Sequence, residues 1–179
     1  MTELERVAYH EAGHALAHCI LHMRFKGVSI VANNRSLGRV PGAPFPAWLA
    51  DAGPTKKRSW IEKRIMCTLA GSAVDEILGL STNASGSDSV SAHLLASNLL
   101  EWKLLGNEQE ARAFVSGLYQ STKVMMQEQG NWATIEALVR KLLERGRLSA
   151  WQVRCIKIGR EQATQSDMTR PRADTGEVS

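Results

Sequence analysis

The run VAYHEAGHALAH, residues 7–18, contains two histidines spaced four apart, with a glutamate directly after the first. On a helix, His10 and His14 lie one turn apart on one face, so both imidazoles can reach a single ion. Glu11 then lies beside that ion, where its carboxylate can accept a proton from water. This H-E-x-x-H spacing is typical of zinc hydrolases and predicts a metal centre on the helix.

The helix that carries this motif is predicted from the spacing of its apolar residues. It should run from Thr2 to Arg24, with Thr2 and Glu5 forming a capping box at its start and Gly27 ending it. The motif therefore lies in the middle of a rigid element.

Composition indicates a single soluble globular domain. The chain has 179 residues, 44% hydrophobic and 22% charged, and no apolar run is long enough to cross a bilayer. We find no secretory signal pattern at the N-terminus and no C-x-x-C pair among the three cysteines, which favours reduced thiols and a cytoplasmic location. A net charge of +4 without a basic and aromatic motif makes nucleic-acid binding a weak alternative.

The segment after the first helix predicts a small β-hairpin. Its strands would be Val28–Val31 and Leu37–Val40, joined at Asn33 and Asn34. A second helix is expected to start at Ser59, capped with Glu62, and to end near residue 77 or 78. This leaves the basic cluster 56–58 in a solvated loop, where it would not oppose the helix dipole.

Four more helices are predicted downstream. Their ranges are about 88–105, 108–129, 132–145 and 149–159, separated by Gly106, Gly130 and Gly146. Residues 1–163 form the predicted domain, and the polar residues 164–179 are expected to be a disordered tail.

A catalytic zinc site needs a third protein ligand, and the sequence alone leaves several open. His18 and His22 are poor choices, because each four-residue step turns about 40° around the helix axis. Asp88 could be a ligand, but aspartate at a helix start is commonly an N-cap. Glu76 is a rival ligand, and Asp75 is expected to be a solvated helix residue.

Three segments resemble, in order, the peptidase domain of FtsH-type membrane AAA proteases. They are VAYHEAGHAL (7–16), LAGSAVDEILG (69–79) and NASGSDSVSAHLLA (83–96), and the helices over 108–153 are similar too. The resemblance implies a mainly α, zincin-like peptidase domain with a small β-hairpin that holds one Zn²⁺. It implies His10, His14 and Asp88 as zinc ligands and Glu11 as the catalytic base. Glu76 is then expected as a carboxylate that bonds a ligand histidine.

The resemblance also implies a strand edge that holds extended substrate. Ser36, Leu37 and Gly38 match the strand that the family uses, and a peptide could pair with that edge through its backbone. A plain hairpin strand is an equally good interpretation of these three residues.

The expected function is a zinc endopeptidase that cleaves peptides or unfolded and flexible protein segments. The 179 residues contain no G-x-x-x-x-G-K-[ST] loop, so unfolding of substrates would depend on an ATPase or adaptor partner. An oligomer is compatible with the sequence. The alternative is a non-catalytic module that keeps the peptidase fold and binds peptides or proteins.

Overall fold

The computed structural model describes residues 1–31, 38, 40, 44–80 and 86–169, and for residues 160–169 only the backbone. Within this part the chain forms six α-helices, a short 3-10 helix and two short strands. In chain order the elements are α1 (Glu3–Ile20), β1 (Gly27–Ser29), the 3-10 helix (Ala47–Leu49), α2 (Pro54–Ile77), α3 (Gly86–Glu101), α4 (Glu108–Gln127), α5 (Gln129–Arg145), β2 (Arg147–Ser149) and α6 (Ala150–Thr169). The prediction of a mainly helical protein is confirmed, and the described part contains a small two-stranded antiparallel sheet.

Helix α1 begins as predicted and ends earlier. The capping box is present, with the Glu5 amide donating to Thr2 Oγ1 at 3.2 Å and the Thr2 amide donating to Glu5 Oε2 at 2.6 Å. The helix ends at Ile20 rather than Arg24, because His22 adopts a left-handed conformation with φ of 55°. The Met23 amide then donates back to the His18 carbonyl, and Met23 turns into the core.

Helix α2 begins at Pro54, five residues before the predicted start at Ser59. Proline suits the first helical position because its missing N–H would be unpaired there. The basic cluster thus lies in the first two turns of the helix, against the expectation. Part of its charge is compensated by side chains, since Arg58 Nε lies 3.2 Å from Glu62 Oε1 and Lys57 Nζ lies 5.2 Å from the Trp102 ring centre.

The sheet joins distant parts of the chain. Strand β1 pairs antiparallel with β2, with Val28 opposite Leu148. The predicted second strand, Leu37–Val40, is not formed at Gly38 or Val40, and Leu37, Arg39 and the turn at Asn33 and Asn34 lie outside the described residues. Gly27 allows the close approach, because a Cβ there would lie 2.5 Å from the Leu148 carbonyl oxygen.

The later helices differ from their predicted bounds at the ends. Helix α3 ends at Glu101 rather than Leu105, and α5 includes Gly130 instead of starting after it. Helix α6 continues to Thr169, through the first six residues of the predicted tail. Residues 170–179 lie outside the described part.

Helices α1 and α2 pack against each other at the centre of the core. One cluster packs α1 between α2, α5 and the sheet, around side chains such as Leu16, Val74 and Leu138. A second cluster fills the space between α2, α3 and α4, and Trp60 and Tyr119 contact both clusters. Among the described residues, no helix is both long enough and apolar enough to cross a membrane.

Candidate metal centre

Three side chains from two helices converge on one point. His10 Nε2 and His14 Nε2 lie 3.1 Å apart, and each lies 3.5 Å from Asp88 Oδ2. Ligand atoms placed 2.0–2.1 Å from a tetrahedral zinc ion are separated by about 3.3 Å. The triangle of donor atoms therefore has the dimensions that a tetrahedral ion requires. Among the described residues, it is the group of His, Cys, Asp and Glu side chains whose spacing could hold a metal ion.

The hydrogen bonds of the two imidazoles fix their tautomers. His10 Nδ1 lies 2.9 Å from Asp75 Oδ2, and His14 Nδ1 lies 2.8 Å from the Cys67 carbonyl oxygen. Both partners are acceptors, so each Nδ1 carries the hydrogen and each Nε2 of the neutral ring presents a lone pair. When both rings are neutral, as they would be with a metal bound, two lone pairs and a carboxylate oxygen face the same small volume.

This electron-rich arrangement attracts a positive charge. Burial opposes protonation of His14, but the carboxylates of Asp88 and Glu11 outweigh it and raise the pKa of His14 to about 9. Burial also opposes ionisation of Asp88, yet its contacts with His14, His10 and Ser72 leave its pKa below the usual value. A cluster that binds a proton this strongly has the donor chemistry for a divalent cation.

The carboxylate that orients His10 is Asp75, not Glu76. Asp75 is 1% exposed and bonds the imidazole, whereas it was expected to be solvated. Glu76 is exposed and bonds the Tyr119 hydroxyl and Lys123 Nζ, the latter at 2.6 Å. The prediction for Glu76 was wrong by one position. Consecutive side chains on a helix point about 100° apart, so Asp75 reaches His10 while Glu76 is directed to Tyr119.

Asp88 lies inside α3, two residues after Gly86, so it is not an N-cap. Ser72 Oγ donates a hydrogen bond of 2.9 Å to Asp88 Oδ2, the same oxygen that faces the imidazoles. The carboxylate is therefore held in place by α2 and aimed at α1. A cavity of about 340 Å³ has Ser72, Ser89 and Tyr119 in its walls, while Asp88 itself is not part of its lining.

Gly71 makes room for both imidazoles. A Cβ at this position would lie 2.5 Å from His14 Nε2 and 2.6 Å from His10 Nε2. Sequence reasoning did not single out this glycine. The available signal was its spacing, because Gly71 lies four residues before Asp75 and so shares the helix face that meets the histidines.

Glu11 is buried beside the histidines, with 7% of its surface exposed. Burial is the main cause that raises its pKa, partly opposed by the nearby His14 and His10. Its Oε2 atom has no hydrogen-bond partner among the described residues. A buried carboxylate oxygen left unpaired next to these histidines is suited to contact a water molecule or substrate.

The remaining predicted residues are distributed as follows. Gly38 lies against Glu11, since a Cβ there would be 2.7 Å from Glu11 Oε1. Ser36 and Leu37 lie outside the described residues. His18 is buried and stacks on Phe25 with ring centres 5.2 Å apart, and His22 is exposed, which agrees with their dismissal as ligands.

Comparison with protein-family models and with curated protein sequences found no significant match for this chain. The likeness to FtsH-type peptidases accordingly stays a prediction that depends on the motifs alone.

Proposed function

We propose that this protein is a zinc-dependent endopeptidase of the FtsH-peptidase type. The observation that supports it best is the convergence of two imidazole nitrogens and one carboxylate oxygen at 3.1–3.5 Å, with an unpaired glutamate oxygen beside them. Catalytic zinc sites use three protein ligands and keep a further position open. His10, His14 and Asp88 would hold the ion.

A bound Zn²⁺ would supply Lewis-acid chemistry, lowering the pKa of a water molecule and polarising a carbonyl group. Glu11 would act as general base through Oε2, accepting a proton from the attacking water. The same oxygen would then deliver the proton to the amine nitrogen of the departing peptide.

We propose peptides and unfolded or flexible protein segments as substrates. Gly38 brings a backbone without a side chain against Glu11, where an extended peptide could pass. The cavity lined by Ser72 and Ser89 would offer space for one substrate side chain. For folded substrates, we propose an ATPase or adaptor as the partner that would unfold them.

The decisive experiment is Glu11→Gln in the zinc-loaded chain. Zinc content should stay near one ion per chain, while casein cleavage falls by about 100-fold or more. Glu136→Gln, an exposed position on α5, is the matched control and should cleave at the native rate. Native activity in the Glu11 variant would contradict the proposal. Peptide binding without cleavage by the zinc-loaded native chain would instead indicate a non-catalytic binding module.

A further inference from the structure

A second cavity lies at the other end of the α1–α2 interface from the metal centre. It has a volume of about 620 Å³, is open to solvent on one side, and is lined by residues 21–24, by Pro44, Pro46 and Trp48, and by the first half of α2. Among the α2 residues that line this cavity, Arg64 lies nearest to the metal centre. It precedes Gly71 by seven positions, so the two residues are about 10 Å apart along the helix axis. None of the proposed metal ligands lines it.

The walls of this cavity are strongly basic. Arg24, Lys56, Lys63 and Arg64 all line it, and its described lining contains no aspartate or glutamate. None of these four side chains has an ion-pair or hydrogen-bond partner among the described residues, in contrast to Arg58, which pairs with Glu62. Positive charge is therefore concentrated in one concave site without compensation from described residues.

Arg64 shows the cost of this arrangement most clearly. It is only partly exposed, and burial lowers its pKa. Partial burial of a guanidinium that has no carboxylate partner costs free energy unless an anion binds to the group. The first turn of α2 adds further positive potential, since Thr55 and Lys56 lie at the helix N-terminus and also line the cavity.

Aromatic rings form another part of the wall. Trp60 packs against Phe45 with ring centres 4.8 Å apart, and Trp48 is 52% exposed. A half-exposed indole offers a flat face on which a planar ring can stack. Cations and an indole within one cavity of this size match a small ligand that carries both phosphate and a ring.

We propose that this cavity binds a nucleotide-like ligand, a phosphorylated small molecule with an aromatic base. The phosphates would contact Lys63, Arg64 and Lys56, and the base would stack on Trp48. The proposal does not depend on the peptidase function.

The test uses isothermal titration of the zinc-loaded full chain with ADP, adenosine and pyrophosphate. ADP should bind with a Kd below about 1 mM, and adenosine and pyrophosphate should each bind about 10-fold more weakly. The double variant Lys63→Gln/Arg64→Gln should lose about 10-fold or more in ADP affinity. Arg140→Gln/Arg147→Gln removes the same charge at exposed positions outside the cavity and should bind as the native chain does.

The contribution of the ring is tested separately with Trp48→Ala. Because Trp48 is half exposed, this variant should fold, lose about 10-fold in ADP affinity and keep its pyrophosphate affinity. Equal affinity for pyrophosphate and ADP would overturn the proposal, as would no ADP binding at about 1 mM. Preference for a single-stranded oligonucleotide over ADP would also overturn it, in favour of a nucleic-acid site. The Glu11→Gln variant should bind ADP with the affinity of the native chain. Failure of the ADP proposal can therefore be distinguished from failure of the peptidase proposal.

Discussion

The Nδ1 atom of His10 donates its hydrogen to Asp75 Oδ2 across 2.9 Å, and Asp75 is almost completely buried. This bond holds the imidazole so that Nε2 faces His14 and Asp88. Such partners of ligand histidines typically change metal affinity by about 10- to 100-fold when removed.

Asp75→Asn should therefore weaken zinc binding by about 10- to 100-fold without removing a ligand. Competition with a chromophoric chelator measures the affinity. Glu76→Gln is the neighbouring control and should bind zinc as the native chain does, because the Glu76 carboxylate is directed to Tyr119 and Lys123. The opposite ranking of these two variants would contradict the assignment of the orienting carboxylate.

Gly71→Ala should abolish tight zinc binding, with a loss exceeding about 100-fold, because the new methyl group would occupy the space of both Nε2 atoms. Gly117→Ala is the matched control, since a Cβ there meets nothing within 4 Å on helix α4. The control should keep its zinc affinity and gain about 0.5–1 kcal/mol in free energy of unfolding. Circular dichroism of both variants establishes that helix content is retained. Native zinc affinity in Gly71→Ala would show that the metal does not bind between these imidazoles.

Asp88→Asn should reduce zinc affinity by more than about 100-fold, because an amide oxygen lacks the charge that the cluster supplies to the ion. Ser72→Ala should reduce it by only about 10-fold, since the serine positions the carboxylate and does not contact the ion. Metal content after dialysis against a weak chelator separates the two variants. Equal loss in both would argue that Ser72 itself is a ligand.

His18 should make the fold sensitive to mild acid. Burial, together with the positive charges of Arg64 and His14, lowers the pKa of His18 to about 4, whereas in the unfolded chain it is about 6.5. The unfolded chain therefore takes up a proton first as the pH falls, so stability is full above pH 6.5 and declines toward pH 4. Between pH 7 and pH 5 this amounts to about 2 kcal/mol.

The variant His18→Leu should remove that part of the pH dependence. Urea unfolding of both proteins at pH 8, 7, 6 and 5 gives the comparison. At pH 8 the histidine is neutral in both states, so the difference there reports the loss of packing against Phe25 and of the hydrogen bond with the Met23 backbone. Parallel curves for the two proteins down to pH 5 would mean that His18 is protonated in the fold.

Local patterns in the sequence were sufficient to predict several features of the structure. The Thr2 capping box and the four-residue spacing of His10 and His14 depend on neighbours within one helix, and the structure contains both features. The position of Asp88 beside them followed from the motif order in the resemblance. Features that depend only on near neighbours along the chain are the ones that pattern analysis predicts best.

Other elements depend on contacts that no local pattern records. The choice between Asp75 and Glu76 is decided by which face of α2 meets α1, and Gly13 and Gly71 set that face by allowing close approach. The partner of β1 lies after α5, where a left-handed Gly146 ends the helix and leads into β2. Helix α2 begins at Pro54, a favoured first residue of a helix, although the basic residues that follow are unfavourable near the positive end of the helix dipole.

The pairing of Gly27–Ser29 with Arg147–Ser149 has a consequence for the order of folding. During synthesis, almost the whole described chain must be made before β2 is present to pair with β1 and α5 is present to pack against the apolar face of α1. Contacts so distant in sequence are slow to close. The residues that face one another at His10, Gly71 and Asp88, by contrast, are all present once the first half of the chain has left the ribosome.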